Sequence, residues 1–304
     1  MKQSILRSNM LLLVAAAIWG LAFVAQRVGA QYVGSFTFNA IRFALGSLSL
    51  VPLILFSNRK PQVASVSTKK PITLLPAGII AGCILFIAAS LQQLGIVETS
   101  AGKAAFITGL YIILVPLIGL FLKHRIQFIV WLGMIFATIG LYFLSVTERL
   151  VIVGGDLLIL ISSFFFALHI LIIDYFTNKF DTLKLSATQF LTCSGLSLIM
   201  AVFFEKITLE SIRLAAIPIL YGGICSVGIA YTLQIFGQKH AKPSHAAIIL
   251  SMETVFGAIG GLLILHENLG VRGYFGCLMM LTGMLLSQLP NMRNNVNFSN
   301  EPVN

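Results

Sequence analysis

Apolar residues run through this chain in roughly ten stretches of about 20, the length at which an α-helix crosses a hydrocarbon core about 30 Å thick. They fall near Asn9–Val28, Phe36–Phe56, Ile72–Gly95, Ala104–Leu122, Ile126–Val146, Gly154–Phe176, Leu185–Phe204, Ala215–Gly237, Ala246–Leu265 and Gly270–Leu289. The connections are short, and only Ser57–Lys70 and the Asn-rich Asn291–Asn304 read as linker or disordered material. The pattern predicts an all-α integral membrane protein of ten transmembrane helices with no soluble domain to carry separate chemistry.

Polar and small residues recur at matched places inside these runs. Trp19-Gly20 with Arg42-Phe43 returns as Phe166-Ala167 with Gln189-Phe190; Leu91-Gln92 followed by Gly95 returns as Leu233-Gln234 followed by Gly237; Gly133 and Gly140 return as Gly276 and Gly283. One five-helix unit is used twice, over residues 1–147 and 148–290, leaving 291–304 as a polar tail. An odd number of helices per unit makes the second copy enter the membrane from the opposite side, so the expected fold is two inverted five-helix repeats.

Composition agrees with lipid as the solvent. Hydrophobic residues make up 58% of the chain and charged residues 10%, against about 25% charged in soluble domains. The net charge of +10 suggests a nucleic-acid partner until the charges are placed. With the N-terminus inside, thirteen cations including Lys2, Arg7, Lys60, Lys123, Arg125, Lys179, Lys239, Lys242 and Arg293 fall on the inner side. Six fall outside: Arg27, Lys103, Arg149, Lys206, Arg213 and Arg272. Cytoplasmic loops collect Lys and Arg, so both termini are expected in the cytoplasm, with membrane lipid rather than nucleic acid as the surrounding partner. Lys2 and Arg7 before an apolar stretch with Ala15-Ala16-Ala17 also resemble a signal peptide. The apolar run continues to Val28, however, and its Trp19-Gly20 portion has an internal match, so the segment is expected to be retained.

Catalytic signatures are missing from the sequence: there is no P-loop, no His-Glu-x-x-His and no Gly-x-Ser-x-Gly. His266-Glu267 and Lys239-His240 fall in loops. Cys83, Cys193, Cys225 and Cys277 stand singly, without paired spacing for a metal or redox site. Neither a metal nor a cofactor is expected.

What remains is the set of polar groups within the spans, each costly in lipid and each a functional candidate. Glu253 is the one deeply placed acid, seven residues after Ala246 and about 10 Å into its helix at 1.5 Å per residue. Its counterpart Tyr111 is seven residues after Ala104, equally deep from the other side. Gln92 and Gln234 form a second matched pair whose carboxamides both donate and accept. Tyr231, Gln234 and Gln238 share a helical face, as do Trp19 and Gln26, while Phe166 and His169 put an aromatic and a titratable group on the helix matched to that of Trp19. Arg42 is about 9 Å from its helix start at Phe36, shallow enough for its side chain to reach the outer interface and anchor or pair there, or else to guide an anionic group. Gly109, Gly257, Gly260 and Gly261 suit close helix packing, and Pro116 and Pro218 are expected kinks.

The stretch from Ala104-Ala105-Phe106-Ile107-Thr108-Gly109-Leu110-Tyr111 through Pro116, then Gly133 and Gly140, resembles a repeated signature. Its partner runs from Pro243-Ser244-His245-Ala246-Ala247 through Ser251-Met252-Glu253, His266-Glu267, Gly276 and Gly283. Together they are similar to the EamA branch of the drug/metabolite transporter superfamily over about residues 9 to 289. The resemblance implies a ten-helix inverted-repeat carrier with a central cavity, and puts Trp19, Gln92, Tyr111, Phe166, His169, Gln234 and Glu253 near its substrate. Two positions depart from the family pattern: Thr254 stands where Pro often follows the Glu, and His124 where an acid often ends helix four. The expected function is secondary transport of a small polar metabolite or amino acid out across a bacterial inner membrane by alternating access, in a monomeric unit, with Glu253 as the candidate for proton coupling. An exchanger of phosphorylated or nucleotide-linked solutes, or a non-transporting membrane protein or enzyme, are the other classes.

Overall fold

In the computed structural model, described residues are 2–56, 73–99, 101–123, 126–145, 153–264 and 270–297. The Ser57–Lys70 linker, His124, Arg125, Arg149 and His266-Glu267 lie outside them. The described residues form helices joined by short turns, with no strand among them. In chain order the helices are α1 Lys2–Gly29, α2 Ser35–Phe56, α3 Leu74–Glu98, α4 Ala101–Gly109, α5 Tyr111–Phe121, α6 Phe128–Ser145, α7 Gly154–Thr177 and α8 Thr182–Phe204. A short α9 Leu209–Leu214 and α10 Ala216–Leu220 lead into a wide π-helical segment, Tyr221–Tyr231, and α11 Thr232–Gln238. Then follow α12 Pro243–Leu250, α13 Glu253–Ile264 and α14 Gly270–Asn297. Seven helical stretches among the described residues are long and apolar enough to cross a bilayer, and Phe128–Phe143 is a shorter apolar helix. The chain is a multi-pass membrane protein. The Asn-rich segment expected as a linker is in part helical, since α14 runs on from Leu289 to Asn297.

The molecule is apolar outside and carries polar side chains within. Phe203 and Leu48 are 77% and 63% exposed, whereas Gln93 and Gln189 are 0% exposed. Helices bathed in lipid have little hydrophobic drive to associate and are held by close backbone approach and interhelical hydrogen bonds. Both occur here, and in matched pairs. Ser47 Oγ on α2 donates to the Ala187 carbonyl on α8 at 3.1 Å, and Ser194 Oγ on α8 donates to the Ala40 carbonyl on α2 at 2.8 Å. The register shift that carries Arg42 onto Gln189 also carries Ser47 onto Ser194 and Ala40 onto Ala187, so each bond is the other's counterpart. Likewise α3 meets α7 where Gly95 faces Gly155 and Ile159, while α11 meets α1 where Gly237 faces Ser8 and Leu12.

The tightest of these contacts joins α6 to α14, where a methyl group on Gly283 would fall 2.4 Å from the Gly133 carbonyl oxygen. A methyl group on Gly140 would fall 2.6 Å from both the Gly276 carbonyl oxygen and the Met280 backbone nitrogen, and one on Gly133 would fall 2.7 Å from the Gly283 carbonyl oxygen. Neither backbone can retreat without parting the helices.

Two spans are interrupted. Between α4 and α5 the chain tightens at Leu110, with Leu110 N–H bonded to the Ile107 carbonyl and Ile113 N–H to that of Leu110. Between α12 and α13 it does the same at Ser251-Met252, with Met252 N–H on the Ile249 carbonyl and Thr254 N–H on that of Ser251. The second break occurs without the proline of the family pattern: Ser251 Oγ donates to the Ile248 carbonyl at 2.8 Å, a back-bond of the kind that bends helices. The first break precedes Pro116, which sits inside α5. Polar backbone left free at membrane depth must find partners within the protein; Ser163 Oγ takes the Thr108 carbonyl and Thr254 Oγ1 that of Ala105.

Gly140→Ala or Gly283→Ala should therefore lower stability by about 1–3 kcal/mol through overpacking. Gly195→Ala within α8, where an added methyl meets nothing within 4 Å, should leave it unchanged or raise it by up to about 1 kcal/mol. Thermal unfolding of the three variants in detergent checks both signs.

Candidate functional site

The two breaks face each other. Tyr111 opens α5 and Glu253 opens α13, and the Tyr111 hydroxyl donates to Glu253 Oε1 at 3.1 Å. Among the described residues that is the one hydrogen bond of the Glu253 carboxyl, which is 4% exposed and has no cation within ion-pair distance. Around this pair lies a cavity of about 40 Å³, room for a few waters. Trp19, Gln92, Tyr111, Phe166, His169, Gln234 and Glu253 all line it.

Besides Tyr111 and Glu253, three of them are held by hydrogen bonds to another element. Gln92 Nε2 donates to Thr108 Oγ1 at 3.1 Å, just before the α4 break. His169 Nε2 lies 3.0 Å from Gln189 Oε1 on α8. Trp19 Nε1 donates to the Ser226 carbonyl at 3.2 Å. The π-helical segment that carries Ser226 begins three residues after Pro218 and ends at Tyr231, the hub of the aromatic wall. The ring of Tyr231 stands 4.6 Å from Trp19, 5.9 Å from Phe190, 6.0 Å from His169 and 6.2 Å from Phe43, centroid to centroid. Phe43 and Phe190, counterparts in the two halves, meet at 6.2 Å. The Oε1 atoms of Gln26 and Gln234, two residues that line the cavity, are buried without a hydrogen-bond partner among the described residues.

Two sequence expectations change here. Arg42 does not reach the outer interface: its side chain is buried at 3% exposure and lines the cavity. Its guanidinium carbon lies 5.0 Å from the Phe43 ring centroid and 5.3 Å from that of Phe38, and its Nε donates to Asn39 Oδ1 at 2.9 Å. Counting residues gives depth along a helix but not the direction a side chain faces. Gln238, expected on the face of Gln234, lies one turn beyond the cavity and donates through Nε2 to the Ile170 carbonyl at 3.0 Å. Gln26, Thr108, Ser226 and Tyr231 are further lining residues. No cluster of three or more His, Cys, Asp or Glu placed to hold a metal occurs among the described residues.

The sequence profile of the EamA-like transporter family matches this chain twice, over residues 6–146 and 153–289. The chain belongs to the EamA-like transporter family. Among similar proteins, an "uncharacterized transporter" of Archaeoglobus fulgidus is 28% identical over 284 residues, 91% of this chain and 84% of that one. The "uncharacterized transporter YoaV" of Bacillus subtilis is 22% identical over 290 residues, 92% of this chain and 96% of its own. A crystal structure whose chain is 16% identical superposes with a TM-score of 0.76, covering 94% of this chain and 98% of the other, and so shares the fold.

The two ends of this EamA-like transporter differ. At the end formed by the C-terminus of α3 and the start of α7, Asp156 accepts from Lys103 Nζ, from Thr99 Oγ1 at 2.8 Å and from Val153 N–H at 2.9 Å. Glu98 Oε2 accepts from Gly155 N–H at 2.8 Å, an anionic cap on the positive end of α7. Arg27 closes the same end by donating to the Ile96 and Val97 carbonyls. At the other end a vestibule of about 490 Å³ opens between the ends of α7 and α11 and the starts of α6 and α12, lined by polar groups including Gln127, Asp174, Asn178, Lys239 and Lys242. Gln234 on the cavity and Gln238 on the vestibule are four residues apart, so about 6 Å of helix separates the two chambers.

Asp156→Asn should loosen the latched end. In a protein whose four cysteines are replaced and which carries Gln26→Cys, labelling by a membrane-impermeant maleimide from that side should quicken about tenfold, since one charge-assisted hydrogen bond is worth about 1.5–3 kcal/mol. An unchanged labelling rate, read by mass shift, means the Asp156 contacts do not hold that end shut.

Proposed function

We propose that this membrane transporter carries a small polar metabolite or amino acid outward across a bacterial inner membrane by alternating access. The reading takes the chain as ten spans in two inverted repeats, with both termini cytoplasmic and a complete pathway in one copy. What supports it above all is the meeting of Tyr111 and Glu253: counterpart residues, each at the first turn after a helix break, on a buried polar cavity. Broken helices that bring polar groups to the bilayer midplane at a repeat interface are how inverted-repeat carriers build their binding sites. The exchanged Ser47 and Ser194 hydrogen bonds and the crossed glycine pairs of α6 and α14 are what a two-fold relation between the repeats requires. A latch at one end and a vestibule at the other suit a carrier that exposes its site to one side at a time.

A phosphorylated or nucleotide-linked solute fits less well. Phosphate recognition draws on several cations, and Arg42 is the cation that lines the cavity among the described residues, Lys103 being engaged with Asp156. Glu253, buried without a cationic partner among the described residues, is the group placed to exchange a proton with solvent as the site changes sides. Trp19, Gln92, Phe166, His169 and Gln234 form the rest of the binding surface, with no metal or cofactor taking part.

Purified protein in sealed vesicles should show saturable solute flux, which an enzyme or a non-transporting partner lacks. Gln234→Ala should reduce it at least about tenfold, the scale of a lost buried hydrogen-bond partner. Glu253→Gln should remove the dependence of flux on a pH gradient while the protein still melts cooperatively. Full pH-driven flux through Glu253→Gln would sink the coupling role and leave the carrier intact.

A further inference from the structure

Two buried ionisable residues of opposite sign line the central cavity, and they do not pair. Charges at membrane depth normally pair with each other or mark the path of a substrate. The ion pair among the described residues is Lys103 with Asp156, away from the cavity. Glu253 holds the Tyr111 hydroxyl; Arg42 holds Asn39 through Nε alone, and its other N–H groups have no hydrogen-bond partner among the described residues. A guanidinium has five N–H donors in a planar fork, so most of Arg42's capacity is left for the cavity. Its position is fixed in advance. The rings of Phe38 and Phe43 hold the guanidinium within 5.3 Å of their centroids, and Nε on Asn39 leaves the outer edge of the fork free to face a planar anion.

Resting on the carrier reading above, we propose that Arg42 is the carboxylate receptor of the cavity, and that with Glu253 it reads a dipolar solute bearing one carboxylate and one ammonium group. The acceptor side has its groups as well: Gln26 and Gln234 line the same chamber, their Oε1 atoms are without a hydrogen-bond partner among the described residues, and turned inward with the Glu253 carboxyl they suit the several N–H donors of an ammonium group. A residue serving only to anchor α2 would have its fork satisfied by protein. An uncompensated buried charge is strongly destabilising until a counter-charge arrives, so the empty cavity carries a cost that a carboxylate relieves. At about 40 Å³ the chamber must widen to hold such a solute, and the vestibule lies one helical turn away.

The test uses Trp19 as a reporter in Trp131→Phe protein, whose remaining tryptophan lines the cavity. The twenty common amino acids are titrated singly, and each that alters the emission is compared with its carboxamide, which lacks the carboxylate, and its descarboxy amine. At least one free amino acid should bind at least about tenfold tighter than its carboxamide, the scale of one charge-assisted hydrogen bond. Arg42→Gln should bring the two to within about twofold while keeping the preference over uncharged solutes that Glu253 supplies. Arg42→Met should melt higher than the parent protein without solute, because an apolar side chain replaces an unpaired charge; a structural anchor would melt lower. Should the variants fail to fold, the parent series still decides, since an amide bound as tightly as its acid overturns the assignment. So does a response to chloride or phosphate alone, or to no amino acid. Saturable flux by a protein that does not distinguish acid from amide removes the receptor and keeps the carrier; acid-selective binding with no flux of any solute keeps the receptor and removes the carrier.

Discussion

Close backbone contact between helices is the constraint on which the rest of this structure depends. With lipid outside, burying Leu48 or Phe203 gains nothing over leaving them exposed, and the chain leaves them exposed. Cohesion comes instead from places where a side chain is absent, Gly140 on Gly276, Gly133 on Gly283 and Gly20 on the Glu253 carbonyl and Gly257 nitrogen, and from hydroxyls that donate to carbonyls on the next helix. The Gly20 contact ties that cohesion to the site. It presses α1 against the first turn of α13, so the backbone that positions Trp19 is braced on the backbone that positions Glu253. A change in the packing of α1 against α13 is therefore a change in the distance between two cavity walls.

The interrupted helices follow from the same economy. A continuous helix satisfies its own backbone and presents only side chains, whereas a break at Leu110 or Ser251-Met252 turns carbonyls toward neighbouring elements. At the first break the Thr108 and Ala105 carbonyls of α4 are taken by Ser163 and Thr254, so that break is a joint between helices as well as a bend. The two breaks also put Tyr111 and Glu253 at the first residue of a new helix, where side-chain direction is set by the turn before it. Each half of the molecule thus supplies one polar group to the centre at a helix break, one that precedes Pro116 and one carried by the Ser251 back-bond.

Much of this was legible in the residues. The apolar runs located most of the helices, and the match of Gly133 and Gly140 with Gly276 and Gly283 marked four glycines that meet between α6 and α14. Counting seven residues from Ala104 and from Ala246 put Tyr111 and Glu253 at one depth because a helix rises by a constant step. Azimuth was the harder quantity. Arg42 lies on a helix apolar on both faces, with Phe43 at 0% exposure and Leu53 at 55%, so amphipathicity could not say which way it points. A signal was present in Phe38, Asn39 and Arg42, a polar and aromatic stripe at helical spacing, which marks an inward face in a chain whose outward face is aliphatic. Nothing in residue type announced the tightened turn at Ser251-Met252, because it depends on a serine back-bond rather than on proline.

The asymmetry between the two ends carries the mechanism further than the symmetry does. If the halves are related by a two-fold, the latch at Asp156 should have an equivalent at the vestibule end, and the corresponding ground there is the approach of α11 to α1 at Gly237, Ser8 and Leu12. That contact has the same close packing as Gly95 on Gly155 but no charge in it. One end is thus held by packing plus an ion pair and an anionic helix cap; the other by packing and by hydrogen bonds that include Gln238 on the Ile170 carbonyl and Thr177 on the Ile235 carbonyl. An equilibrium between two access states is biased only by interactions that differ between them, and on the carrier reading proposed above the ion pair and cap at the Asp156 end are such interactions. In the alternating-access reading, the latch at Asp156 favours closure of that end in the empty protein, and a solute that releases it must draw its free energy from contacts made inside the cavity. The unpaired Arg42 and Glu253 are the groups with such contacts still to make.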